Sequence, residues 1–162
     1  GESVTTGTNN TLVGGLAGDA ITTGNRNTAL GQSALGATTT ANDTVGIGHN
    51  ALALNTTGAN NTSVGTYSLA TNSTGANNTA VGYSAGTAIT TGEFNTLVGS
   101  VAGDVLTVGA QNVAIGHAAL GSDTKGSKSI AIGESALFTQ NFTSATDTFN
   151  IAIGENLSLI HI

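Results

Sequence analysis

The chain has 162 residues; Gly, Thr, Ala and Asn fill 92 of them, aromatics make up 4%, and Trp, Met, Cys and Pro are absent. So little bulky material excludes a conventional globular enzyme core, and 7% charged residues with a mean hydropathy of +0.14 exclude the disordered class. Nine acids against Arg26, Lys125 and Lys128 give a formal net charge of −6, which leaves no phosphate-tracking surface for nucleic acid. No run approaches the ~18 apolar residues of a membrane span, and a chain without Cys, compatible with an extracellular site, holds neither a disulfide nor a thiolate metal centre.

From the N-terminus, the string N-T-L-V-G at 10–14 returns as N-T-A-L-G at 27–31, N-T-A-V-G at 78–82, N-T-L-V-G at 95–99 and N-V-A-I-G at 112–116. The pivot glycines are Gly14, Gly31, Gly48, Gly65, Gly82, Gly99, Gly116 and Gly133, evenly spaced at one 17-residue period, and Gly154 follows after a longer interval. Such a period is the mark of a stacked array of one short unit.

Reading the units as columns gives the predicted elements. The residue before each pivot is Val13, Leu30, Ile47, Val64, Val81, Val98, Ile115, Ile132 or Ile153. Two residues earlier stand Thr11, Thr28, Val45, Thr62, Thr79, Thr96, Val113, Ile130 and Ile151, with mostly Ala between. Large, small, large at period two predicts a strand, with the nine branched aliphatics before the pivots as its buried face. On that reading a charge at Val81 or Ile115 enters a narrow core.

Three residues after the pivots come Ala17, Ala34, Ala51, Ser68, Ala85, Ala102, Ala119 and Ala136, small enough to lie against another backbone or a neighbouring chain. Seven before them stand Gly7, Gly24, Gly58, Gly75, Gly92, Gly109 and Gly126, where a sharp turn calls for a positive φ. Four before them stand Asn10, Asn27, Asn61, Asn78, Asn95, Asn112 and Asn150, expected to form amide ladders from turn to turn. Paired threonines such as Thr22 and Thr23, or Thr56 and Thr57, form two parallel files. The fold expected is all-β: a parallel β-solenoid of nine turns, two or three short strands per turn, rising about 4.8 Å per turn.

The repeated string N-T-A-V-G-Y-S-A-G and its copies resemble the head repeats of YadA-like trimeric autotransporter adhesins, and also repeat regions of bacteriophage tail fibres, over about residues 7–156. The resemblance implies a left-handed β-roll, a homotrimer and an adhesive role in an extracellular, cell-surface or virion fibre. Independently, a 17-residue coil of small residues has little interior, and the Ala columns suit close packing against neighbours.

Residues 1–156 read as one repeat domain, an excerpt of a longer chain. The tail 157–162, L-S-L-I-H-I, is the in-frame translation of a sequencing-transposon end, so Leu157 is expected to fit poorly in a column built for Ala and His161 carries no functional meaning.

Candidate chemistry is thin. Gly82-Tyr83-Ser84-Ala85-Gly86 matches the G-x-S-x-G nucleophile elbow but is one copy of a repeated column, and no strand–turn–helix context accompanies it. His49 and His117, each one after a pivot, lie four turns apart, and Asp19 and Asp104 five turns apart, so neither pair shares a metal within the chain. No catalytic residue, cofactor or metal is expected. The longer last unit collects Phe138, Phe142 and Phe149, either as a corner covering the roll or as an aromatic contact loop. The leading function is a structural and adhesive fibre module whose host-surface ligand is unknown. An ice-binding solenoid using the threonine files is the alternative, and a hydrolase is the weakest reading.

Overall fold

Glycine, threonine and asparagine recurring at a fixed interval bring the same backbone back over itself once per turn. The computed structural model describes residues 1–157, and the tail expectation beyond Leu157 lies outside the described residues. The described chain is an all-β parallel solenoid without helix. Its three-residue strands are β1 Thr11–Val13, β2 Thr28–Leu30, β3 Val45–Ile47, β4 Thr62–Val64, β5 Thr79–Val81, β6 Thr96–Val98, β7 Val113–Ile115, β9 Ile130–Ile132 and β11 Ile151–Ile153. These nine form one parallel sheet in sequence order, in which each residue pairs with its counterpart in the next unit, as Thr62 with Thr79 and, across the long unit, Ile130 with Ile151. The inserted residues of the long unit bring β10 (Thr146–Asp147) beside β8 (Gly126–Ser127) in a separate two-stranded ladder.

Each regular turn therefore has one strand, where two or three were expected. The remainder is made of tight bends. In every turn the residues two after and five before the pivot adopt left-handed φ angles, among them Tyr67 (60°), Val101 (52°), Asn77 (60°) and Phe94 (59°). A left-handed residue costs a non-glycine side chain about 1–2 kcal/mol, so the axial hydrogen bonds hold this backbone against its local preference.

The pivots stack in one column, as expected, with φ between 126° and 140°. A Cβ on Gly31 or Gly48 would sit 2.6 Å from the carbonyl oxygen of the next pivot, so both conformation and proximity demand glycine there. The glycines seven before the pivots have no positive φ. Their requirement is close approach alone: a Cβ on Gly24 or Gly75 would collide with the carbonyl of Ala41 or Gly92 in the next turn.

The strand faces are the reverse of the expectation. The middle residue of each strand points inward, with Ala29, Ala80, Leu97, Ala114, Ala131 and Ala152 fully buried. The nine aliphatics before the pivots point outward: Val13 is 54% and Ile153 65% exposed, Leu30, Val81 and Ile115 are exposed, and Ile47, Val64, Val98 and Ile132 are half-buried. Period-two alternation identifies two faces without saying which is inside, and the coil is too slim to hold a β-branched residue on every rung from both sides. The Ala column three after the pivots also faces inward, buried in its own coil rather than against another chain.

Interior volume is shared between two facing columns. Four after the pivots stand Gly18, Leu35, Leu52, Leu69, Gly86, Gly103, Leu120 and Leu137. Where this column has Leu, the strand centre has Ala, Gly or Ser; Leu12 and Leu97 in the strand lie over Gly18 and Gly103. Leu97 also fills the space above Gly86, where a Cβ would lie 2.6 Å from its Cδ1. A second partner moves with the first: glycine rungs carry Ile21, Ile89 or Leu106 three residues on, and leucine rungs carry Thr38, Asn55, Asn72, Asp123 or Gln140. The asparagines among them bond within their own turn or to the neighbouring one, as when Asn55 Nδ2 donates to the Gly58 carbonyl at 2.9 Å and Asn72 Nδ2 to Asn55 Oδ1 at 3.0 Å. Two atoms of this column beside apolar rungs, Thr38 Oγ1 next to the Ile21 rung and Asn72 Oδ1 next to the Ile89 rung, have no hydrogen-bond partner.

The asparagine column is a ladder, built mainly from side chain to backbone. Asn78 Oδ1 accepts the Asn95 N–H at 2.9 Å, and Asn78 Nδ2 donates to the Gly92 carbonyl at 2.8 Å. Amide-to-amide contacts add to this only at Asn95 to Asn78 (3.1 Å) and Asn112 to Asn95 (3.2 Å) within the column. In the first threonine file each hydroxyl donates to the carbonyl one turn on, as from Thr39 to Thr56 at 3.1 Å and from Thr90 to Thr107 at 3.2 Å. Leu157 continues the coil: its carbonyl accepts the Leu137 N–H at 2.8 Å and its side chain packs on the core cluster. The expected misfit in an Ala column is thus absent at this residue.

Two stability outcomes follow from the interior. Leu97→Ala should cost about 2–5 kcal/mol, and Gly86→Leu, destabilising alone, should recover part of that loss when combined with it, read as a favourable coupling in a thermal-unfolding double-mutant cycle. Asn78→Ala leaves the Asn95 N–H and the Gly92 carbonyl without partners and should cost roughly 2–4 kcal/mol by urea unfolding, whereas exposed, left-handed Asn77→Gly should be near neutral.

Candidate functional site

Side chains displayed on a repeating backbone can act only as files along the coil. Among the described residues no pocket opens and no three His, Asp or Glu side chains gather as a metal set. The most extensive candidate is the outward face of the nine-stranded sheet. Its two files are the aliphatics before the pivots and the Thr, Val or Ile residues two earlier. With strands ~4.8 Å apart, nine rungs extend about 38 Å, and with a file spacing of ~7 Å the apolar strip is on the order of 300 Å², comparable with the largest patches on ordinary monomers. The strip is aliphatic on both files at its far end, through Val113, Ile115, Ile130, Ile132, Ile151 and Ile153.

Charges stand beside it in the file five before the pivots. Arg26 Nε and Nη2 donate to the Asp43 carboxylate at 2.6 and 2.7 Å. That hydrogen-bonded guanidinium holds the Asp43 carboxyl below its usual range, in an exposed pair of little consequence for stability. Lys128 Nζ reaches Asp147 Oδ2 at 2.5 Å and lies 5.1 Å from the centre of the Phe149 ring.

The remaining sequence candidates are scattered. Phe138 lies over Gly121 on one corner, Phe142 is half-buried, and Phe149 is 67% exposed beside Lys128. No ring contact joins them among the described residues. Ser84 sits in a bend at φ 53°, and its N–H bonds the Thr66 carbonyl like its counterparts in other turns. His117 Nδ1 is 3.8 Å from Glu134 Oε1 on the surface. Burial pushes the Asp104 carboxyl above its usual range, opposed by its own and the Val105 N–H.

One grouping was missed by sequence reasoning. The His49 ring meets Tyr67 edge to face at 5.2 Å, and Tyr67 meets Tyr83 edge to face at 6.4 Å. The available signal was spacing: His49 and Tyr83 stand two turns apart in one file, each directly after a pivot, and Tyr67 falls in the adjoining file of the turn between. The second threonine file is also outward, with Thr6, Thr23, Thr40, Thr57, Thr74 and Thr91 all exposed.

Comparison with protein-family models, with curated proteins and with solved structures finds no match.

Proposed function

We propose that the protein is a structural and adhesive module of an extracellular or virion-surface fibre, assembled as a homotrimer through the outward sheet face. The observation that carries this reading is the unbroken outward file of nine branched aliphatics. A partner that covers all of it must present apolar groups at the same axial step, and another copy of the chain meets that condition at every rung. The number three and the adhesive role come from the resemblance to YadA-like head repeats. Bulk function then resides in a stiff rod and its displayed corners, and the G-x-S-x-G string has no catalytic part.

An ice-binding solenoid is the second reading, favoured by the six exposed threonines from Thr6 to Thr91. Against it, the neighbouring file has its hydroxyl hydrogens committed to carbonyls of the next turn, which leaves one regular file where a lattice needs two. Thermal hysteresis of the purified protein tests this reading, with none expected.

Light scattering of the full chain should give three times the chain mass. A double change, Val81→Asp with Ile115→Asp, should yield a folded monomer by scattering and circular dichroism, because the charges enter water rather than the coil interior. Wild type that remains monomeric at high concentration overturns the assembly. Ser84→Ala should alter neither mass nor surface adhesion, and loss of a measured hydrolysis in that variant would overturn the non-enzymatic reading.

A further inference from the structure

The chain has six aromatic residues, and two tyrosines with one histidine converge on three successive turns just after the pivots. Tyr83 is 57% and Tyr67 38% exposed. Neither ring supports the interior, since the same two files elsewhere hold Gly15, Gln32 and Ser100, or Ser33, Ser84 and Ser135. The fold thus calls for no ring at these positions, where residues as different as Gly15, Leu16, Val101 and Glu134 also stand. The bend at each pivot glycine separates this row from the strand, so the row and the outward aliphatic strip are different surfaces.

We propose that His49, Tyr67 and Tyr83 form a stacking platform for a neutral hexopyranose oligosaccharide lying along the coil axis. This inference rests on the adhesive reading and names the ligand class that the adhesive surface takes. The C–H face of a pyranose packs on an aromatic ring, while tyrosine hydroxyls and the imidazole take sugar hydroxyls at the ring edges. Tyr67 stands nearly perpendicular to both neighbours, so the stacking faces belong to His49 and Tyr83, which share one file two turns, or ~9.6 Å, apart, a span that suits a chain of sugars better than a single one. Gln32, Asn50, Ser84 and Ser100, in the same two files, add donors and acceptors around it.

Charge and geometry disfavour other stacking ligands. A nucleotide brings phosphates, but Arg26 is engaged by Asp43, and Lys125 and Lys128 lie turns away. A quaternary ammonium needs ring faces that converge around an open space. Here the interplanar angles of 77° and 86° at contact distance fill the space between rings with ring edges.

The test is calorimetric titration of the full chain with mono- to hexasaccharides of glucose, mannose and galactose. Tyrosine fluorescence gives a second readout, since Tyr67 and Tyr83 are the only tyrosines and there is no Trp. At least one series should bind saturably, with affinity rising to the trisaccharide and then levelling. Tyr83→Ser and Tyr67→Ser copy residues already found in those files, and each should weaken binding about tenfold or more. Phe94→Asn, removing an exposed ring elsewhere, should change nothing. No saturable response with any series, or full binding by Tyr83→Ser, overturns the platform, and tighter binding of phosphocholine than of any sugar reassigns it to a cation. Scattering in the same samples separates the two readings: a trimer that binds no sugar defeats only the platform, and a sugar-binding monomer defeats only the trimeric assembly.

Discussion

Backbone stacking at one fixed axial step is the interaction on which everything else in this molecule depends. Each turn donates and accepts hydrogen bonds along the axis with the turns on either side of it, and the turns can close to that distance only where nothing projects between them. Glycine at the pivot and seven before it follows from this closeness, and only the pivot also needs glycine for its φ. Left-handed residues at the corners, including bulky Phe94 and Val101, are held by the same bonds. Local preference is overruled because a mismatch at one turn would leave several buried polar groups unpaired in two others.

The buried asparagines complete the axial stack at a corner where backbone alone leaves groups unpaired. In the ladder, Asn10, Asn27, Asn61, Asn78, Asn95 and Asn112 each accept an N–H from the next turn and donate to a turn carbonyl, a task that Ala could not perform. Hydroxyls do equivalent work in the first threonine file and wherever serine replaces alanine: Ser63 Oγ donates to the Ser68 carbonyl at 2.8 Å and Ser68 Oγ to the Ala80 carbonyl at 3.1 Å. A low charge content and abundant small polar residues are consequences of a coil that has almost as much corner as core.

The side chains available for contact stand outside the stack. Interior rungs have two solutions, a leucine opposite a small strand residue or a glycine filled from the strand and from the next bend, and among the described residues neither leaves a cavity. The surface is free to vary file by file, which is how a uniform rod carries an apolar strip on one side, ion pairs at one corner and an aromatic row at another. Under the proposed assembly and the proposed sugar platform, self-association and ligand contact would use different columns of the same turn and could be selected separately.

Periodicity alone was enough for the parallel solenoid, the 17-residue register, the stacked pivots and the asparagine ladder, because an exact repeat forces equivalent residues into equivalent places. It was not enough for the direction of the strand. Val81 and Ala80 alternate equally well on either face, and only the closed coil showed that Ala80 must fit inside against its neighbours while Val81 stands in solvent. A clue was present in the pairing of Leu12 with Gly18 and of Leu97 with Gly103, whose compensating volumes mean that the strand centre faces the interior. The glycines seven before the pivots looked like a demand for positive φ, and the structure showed a demand for space. The meeting of His49, Tyr67 and Tyr83 required knowing how adjoining files lie at a bend. Repeat spacing places residues along the axis, but tertiary structure alone decides which way each side chain leaves it.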